Sequence, residues 1–128
     1  MELGYTKKTQ DSYEEAIRRV EEATEHNGFK VVNRLDMGGI LNSKGFPRDP
    51  VYMLEICHAP SASEVLQANM DISLLLPCKI NVYLQDGETY ISALDPGIMA
   101  QFFKEDAITQ IASHVGQAIH TIVDEAAR

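Results

Sequence analysis

Two runs rich in β-branched and aromatic residues, Lys79 to Gln85 and Glu88 to Leu94, are joined by the pair Asp86-Gly87. An Asp-Gly pair accepts the positive backbone torsions that both central positions of a two-residue hairpin turn demand, so the two runs are expected to fold back on each other as antiparallel strands. A fixed antiparallel pair limits what the other elements can do. They must supply further strands to its edges or helices to its apolar face.

The remaining elements follow from local signals. Residues 3 to 9 read as an edge strand leading into a helix. Ser12-Tyr13-Glu14-Glu15 is a capping-box pattern, in which the serine hydroxyl and the Glu15 carboxylate satisfy amides of the first turn. Tyr13, Ala16, Ile17, Val20 and Ala23 then recur at helical spacing, and Gly28 suits the left-handed position that ends a helix, predicting an amphipathic helix over 13–27. Residues 29 to 35 read as a strand, and 37 to 44 as a short helix stopped by Gly45. Pro47, Asp49 and Pro50 mark a loop before a stronger strand, Val51 to Cys57. In that strand Val51, Met53, Glu55 and Cys57 share one face while Tyr52, Leu54 and Ile56 share the other. Apolar residues on both faces predict a central position. Ser61 and Glu64 form a second capping-box spacing, predicting a short helix after Pro60. Asp95-Pro96 opens a helix reaching Phe103, and Ile108, Ile111, Ala112, Val115, Ile119 and Ile122 stripe a long terminal helix over 105–126. Strands paired by hairpins, with helices packed on them, define an α+β fold with a mainly antiparallel sheet. A single compact domain is expected over residues 1–128, with no internal repeat, low-complexity tract or linker.

Composition excludes several function classes. Against 19 Asp and Glu stand 11 Lys and Arg, a formal charge of −8, so a nucleic acid backbone is repelled and is not an expected partner. The longest apolar runs, such as Ile72 to Leu76, fall far short of the roughly 20 residues that cross a bilayer, and Met1 to Gln10 lacks the apolar stretch of a signal peptide. The expected location is the cytoplasm, where thiols stay reduced.

The chemistry-bearing candidates cluster around the chain's 2 cysteines, Cys57 and Cys78. A disulfide between them closes a loop worth roughly 3 kcal/mol by chain entropy, yet a reducing compartment disfavours it. A metal needs more ligands than two thiols; Glu55 shares a strand face with Cys57, and His58 joins only if the strand ends or bends there. The sequence has no C-x-x-C and no H-E-x-x-H. A third reading buries both thiols as small hydrophobes. Glu55 resists a purely structural account, because a carboxylate among apolar neighbours must be paired, at a rim or protonated; Lys79, Arg34 and a backbone amide are the candidate partners. Gly38-Gly39 lacks dinucleotide-loop spacing. His114 and His120 lie about 240° apart around a helix and make no shared metal face. Ser61 and Ser63 lie near His58, but helix capping accounts for Ser61 without invoking a nucleophile.

Glu55-Ile56-Cys57, followed by Ala62 and Val65-Leu66, then Leu75-Leu76-Pro77-Cys78 and Val82-Tyr83, resembles the bacterial and archaeal family called domain of unknown function 302. The resemblance covers essentially the whole chain. It implies a small α+β domain, usually a homodimer, with no established activity. Members of that family commonly carry Asn-Pro directly after the first cysteine, whereas this chain has His58-Ala59 with proline at Pro60.

The leading expectation is a noncatalytic, homodimeric binding domain with its site near Glu55, Cys57, His58 and Cys78, taking a metal, a small apolar molecule or a thiol-reactive species. One alternative is a thiol-dependent redox protein or enzyme, with Cys57 or Cys78 reacting and His58 as base. Another is an interaction protein whose cysteines merely fill the core. No particular cofactor is specified by these residues.

Overall fold

Asp86 and Gly87 have φ of 54° and 77°, the torsions a two-residue hairpin turn requires, and Gln85 faces Glu88 across it. The computed structural model describes residues 2–128. The hairpin consists of β4 (Cys78–Gln85) and β5 (Glu88–Leu94), and three further strands extend it: β1 (Gly4–Thr9), β2 (Lys30–Asp36) and β3 (Val51–Cys57). All neighbours are antiparallel, in the order β1-β5-β4-β3-β2. The helices are α1 (Tyr13–His26), α2 (Met37–Ser43), α3 (Ala59–Ala68), α4 (Met99–Phe102) and α5 (Asp106–Ala126), with 3-10 turns at Met70–Leu75 and Pro96–Ile98. The fold is α+β, as expected. β3 lies inside the sheet, next to edge strand β2, with Leu54 and Ile56 fully buried on the face Tyr52 shares.

Alternation along β4 and β5 buries Cys78, Ile80 and Val82, and Thr89, Ile91 and Ala93, on one face. Onto that face pack Ala16, Val20 and Ala23 of α1 and Val115, Ile119, Ile122 and Val123 of α5, forming the main core. The other face keeps Lys79, Asn81, Tyr83, Tyr90 and Ser92 more accessible. A second, smaller core gathers Val65 of α3, Ile72, Met99, Phe103, and Ile108 and Ala112 near the start of α5. The 3-10 turn carrying Ile72 had no helical periodicity to announce it; Ile72 is buried while Leu74, two residues on, is exposed.

Helix ends show which local rules held. α1 stops in a Schellman motif: the Gly28 amide donates to the Glu25 carbonyl at 3.1 Å and the Phe29 amide to Thr24 at 3.0 Å, with Gly28 at φ 83°. The N-terminal capping box is only half formed. Ser12 Oγ accepts from the Glu15 amide at 3.1 Å, but the Glu15 carboxylate is engaged by Arg18 and Arg19. The second expected box does not form. α3 begins earlier, at Ala59, because Pro60 brings its fixed torsion and missing N–H to the first turn, where neither is costly. Ser61 therefore lies inside the helix and is free for another partner. The helix expected over 96–103 divides into the Pro96–Ile98 turn and α4, with the Asp95 carboxylate accepting from the Gly97 amide at 3.0 Å.

Candidate ligand-binding cavity

The two cores meet along a seam that is not filled. A pocket of about 260 Å³, partly open to solvent, lies there. Phe29, Ile56 and Val115 of the main core line it together with Val65, Met99 and Ala112 of the smaller core and Leu66 packed on that core, and Leu76 and Ile111 pack on both. Local structure accounts for several of these positions. The Schellman turn after α1 delivers Phe29, which is buried. The end of β3 delivers Cys57, and the chain leaves the sheet at His58, the residue that caps α3. Cys78 opens β4 opposite Ile56. Asp, Glu, Lys and Arg are absent from the lining; its polar side chains are His58 and Ser61, beside the two thiols.

His58 and Ser61 form a pair, with Nδ1 and Oγ 2.7 Å apart across the first turn of α3. The His58 ring also meets Phe29 at 5.3 Å between centroids, tilted by 35°. The contact with Phe29 had no sequence signal, and the sequence placed Ser61 near His58 but favoured a helix cap for the serine. The early start of α3 is what redirects it.

The expected site residues divide. Cys57, His58 and Cys78 all line the cavity, whereas Glu55 is not among its lining residues. Glu55 sits in a polar ladder across three strands: Asn33 Nδ2 donates to Oε1 at 2.8 Å and Lys79 Nζ to Oε2 at 3.0 Å. A bulge between Val31 and Asn33 brings Asn33, and not Val32, opposite Glu55. The Asn33 hydrogen bond first, and then the Lys79 one, hold the Glu55 carboxyl below its ordinary value. Lys79 was an expected partner; Arg34 instead binds Glu21.

Both cysteines are free thiols, Cys57 half-buried and Cys78 buried. Burial first, with Cys57 adding to it, pushes the Cys78 thiol up to about 11. A thiol so placed stays protonated at neutral pH and is a poor nucleophile. Among the described residues, no three His, Cys, Asp or Glu side chains come together as a metal-holding group. His120 instead lies 3.2 Å from Asp95 and stacks on Tyr5 at 3.9 Å between centroids, away from the thiols' cavity. Among the same residues no helix is long and apolar enough to cross a membrane.

With this geometry in place, comparison with known proteins places the chain. A family model described as "Domain of unknown function DUF302" matches residues 5–126. The chain belongs to the DUF302 family. The fold is also that of a solved DUF302 structure, described as the crystal structure of an uncharacterized conserved protein from Bacillus stearothermophilus. The two align with a TM-score of 0.92 and 28% identity over 100% of each chain. No curated protein matches the sequence. The family resemblance carried by the two cysteine runs is thus confirmed, and so is the α+β architecture it implied. In this DUF302 chain the residue after the first cysteine is His58, a cavity wall.

Proposed function

We propose that this chain is a noncatalytic binding module that takes a small, mainly apolar molecule into the seam between its two cores, against Cys57, His58 and Cys78. The observation that carries this reading is the cavity itself. The pocket of about 260 Å³ is partly open to solvent and lined by apolar side chains of both clusters, so a molecule that enters it takes that apolar surface out of water. A largely apolar wall with a few polar groups is the usual make-up of a small-molecule site. The buried Cys78 thiol, held protonated, adds to the apolar character of the wall. Glu55, tied to Asn33 and Lys79, serves the sheet and not the ligand. Two free thiols accord with a reducing, cytoplasmic setting.

Xenon tests the reading with the least chemistry, since it enters dry apolar cavities. Xenon-pressurised crystals are expected to show the gas between Val65, Ala112 and Ile56, and benzene titration should shift the methyl resonances of the same residues. An Ala112→Phe variant should remove both signals. Undisturbed methyls and no bound xenon in a folded wild-type protein would sink the proposal.

A homodimer is supported by a different observation. The sheet face away from α1 and α5 carries the stacked Tyr83 and Tyr90 rings, 5.3 Å apart, among charges of both signs, including Glu55, Lys79, Lys8 and Glu88. Charges of both signs around an aromatic pair suit an interface between two copies, in which the same patch meets itself. Sedimentation of the wild type as a dimer, and of a Tyr83→Glu variant as a monomer, is the expected outcome; a monomeric wild type removes it.

A further inference from the structure

The composition of the cavity wall says what kind of molecule it selects, an inference that rests on the binding reading above. We propose that the cavity selects an uncharged aromatic molecule of roughly ten non-hydrogen atoms carrying a single polar group, which hydrogen-bonds at His58 and Ser61.

Size comes from the volume. An engineered cavity of about 150 Å³ takes benzene, so the seam's 260 Å³ has room for roughly ten heavy atoms by proportion. Charge follows from the walls. Among the described residues no Asp, Glu, Lys or Arg lines the space, so an ionised ligand would meet no permanently charged side chain there, and its partial desolvation would count against it. The polar end is localised. His58 and Ser61 sit on one turn of α3 and bind each other through Nδ1 and Oγ, while His58 Nε2 has no hydrogen-bond partner among the described residues. That nitrogen and the Ser61 hydroxyl are the groups through which one polar atom of a ligand can be recognised. Beside them, the tilted Phe29 and His58 rings form an aromatic wall against which a flat ring packs in an offset or edge-on arrangement.

Titration of the full chain with 4-ethylphenol, ethylbenzene and 4-ethylbenzoate, followed by methyl NMR, separates these elements. The expected order is 4-ethylphenol roughly three- to tenfold tighter than ethylbenzene, the difference one net hydrogen bond makes, with no binding of 4-ethylbenzoate. Ser61→Ala should bring 4-ethylphenol towards the affinity of ethylbenzene while ethylbenzene still binds, whereas His58→Leu, which also removes half of the aromatic wall, should weaken both ligands and 4-ethylphenol the more. Ser61→Ala removes a single oxygen and gives the readout if His58→Leu fails to fold. Equal affinity for the phenol and the hydrocarbon, or tighter binding of the carboxylate, overturns the proposed selectivity and leaves the cavity as a binding site. Absence of binding by all three overturns the selectivity and the binding reading together.

Discussion

Lys79 Nζ lies 3.0 Å from the Glu55 carboxylate, directly across the β3–β4 ladder. With Asn33 on the other oxygen, this lowers the Glu55 pKa in the folded chain, and a lowered carboxyl value carries a definite sign. The ionised form is preferred in the fold, so its contribution is complete above the unfolded value of about 4.3 and is lost as pH falls through the folded one. Urea denaturation of the wild type and Glu55→Gln from pH 3 to pH 6.5 should show a stability gap at the upper end that closes towards the lower. A gap independent of pH would contradict this account. The difference between the two proteins isolates Glu55 from Glu15, Glu105 and Glu125, whose values are also lowered.

The Cys78 thiol carries the opposite sign. Its folded value is raised to about 11, so the neutral thiol is favoured in the fold. That contribution is complete below the unfolded cysteine value of about 8.5 and declines as pH climbs from there towards the folded value. At pH 8 a thiol with that value is ionised on the order of one part in a thousand. Iodoacetamide treatment of the native protein should therefore place its first adduct on half-buried Cys57, with Cys78 reacting only after urea unfolding. Peptide mapping of the alkylated protein reads this directly; equal modification in the native state would refute it.

Two glycines separate backbone torsion from space. At Gly28, φ is 83° and an added Cβ would meet nothing within 4 Å, so Gly28→Ala should cost about 1 kcal/mol from the left-handed torsion alone. At Gly38 the added Cβ would lie 2.9 Å from the Val51 amide nitrogen and 3.2 Å from Pro50 Cα. Backbone atoms must then move, and the loss should be about 1–3 kcal/mol. Urea midpoints of the two variants, measured side by side, check the ranking.

Ile119 is fully buried in the main core between α5 and the sheet. Ile119→Ala should lower stability by about 2–5 kcal/mol, the range for deleting a large aliphatic side chain from a packed interior. Calorimetry of the variant checks the size of the effect. A loss under 1 kcal/mol would show that α5 is not the principal cover of the sheet.

Much of this architecture was legible before any coordinates. The β4–β5 turn followed from Asp86-Gly87, the end of α1 from Gly28, the two faces of β3 from strict alternation, and α5 from its isoleucine and valine stripe. Each depends on torsions or periodicity within a short window of chain. The site was legible in half. Cys57, His58 and Cys78 come to one cavity, but Glu55, on the same strand as Cys57, does not line it. The spacing of Ser61 to Glu64 fits a cap, but the helix begins three residues earlier, at Ala59 with His58 in the cap position. Phe29 read only as the start of a strand.

The amino-acid sequence by itself determined most of the elements, the hairpin register and the family, because turn torsions, side-chain period and motif residues act locally. Tertiary structure alone decided that the bulge at Val32 would give Glu55 to Asn33 and that two cores of unequal size would meet along an unfilled seam. It also decided that His58 and Ser61 would form the polar edge of that seam. The physical reason is that packing volume and hydrogen-bond partners are set by residues distant in the chain, and no local pattern specifies which surfaces meet or how completely they fill the space between them.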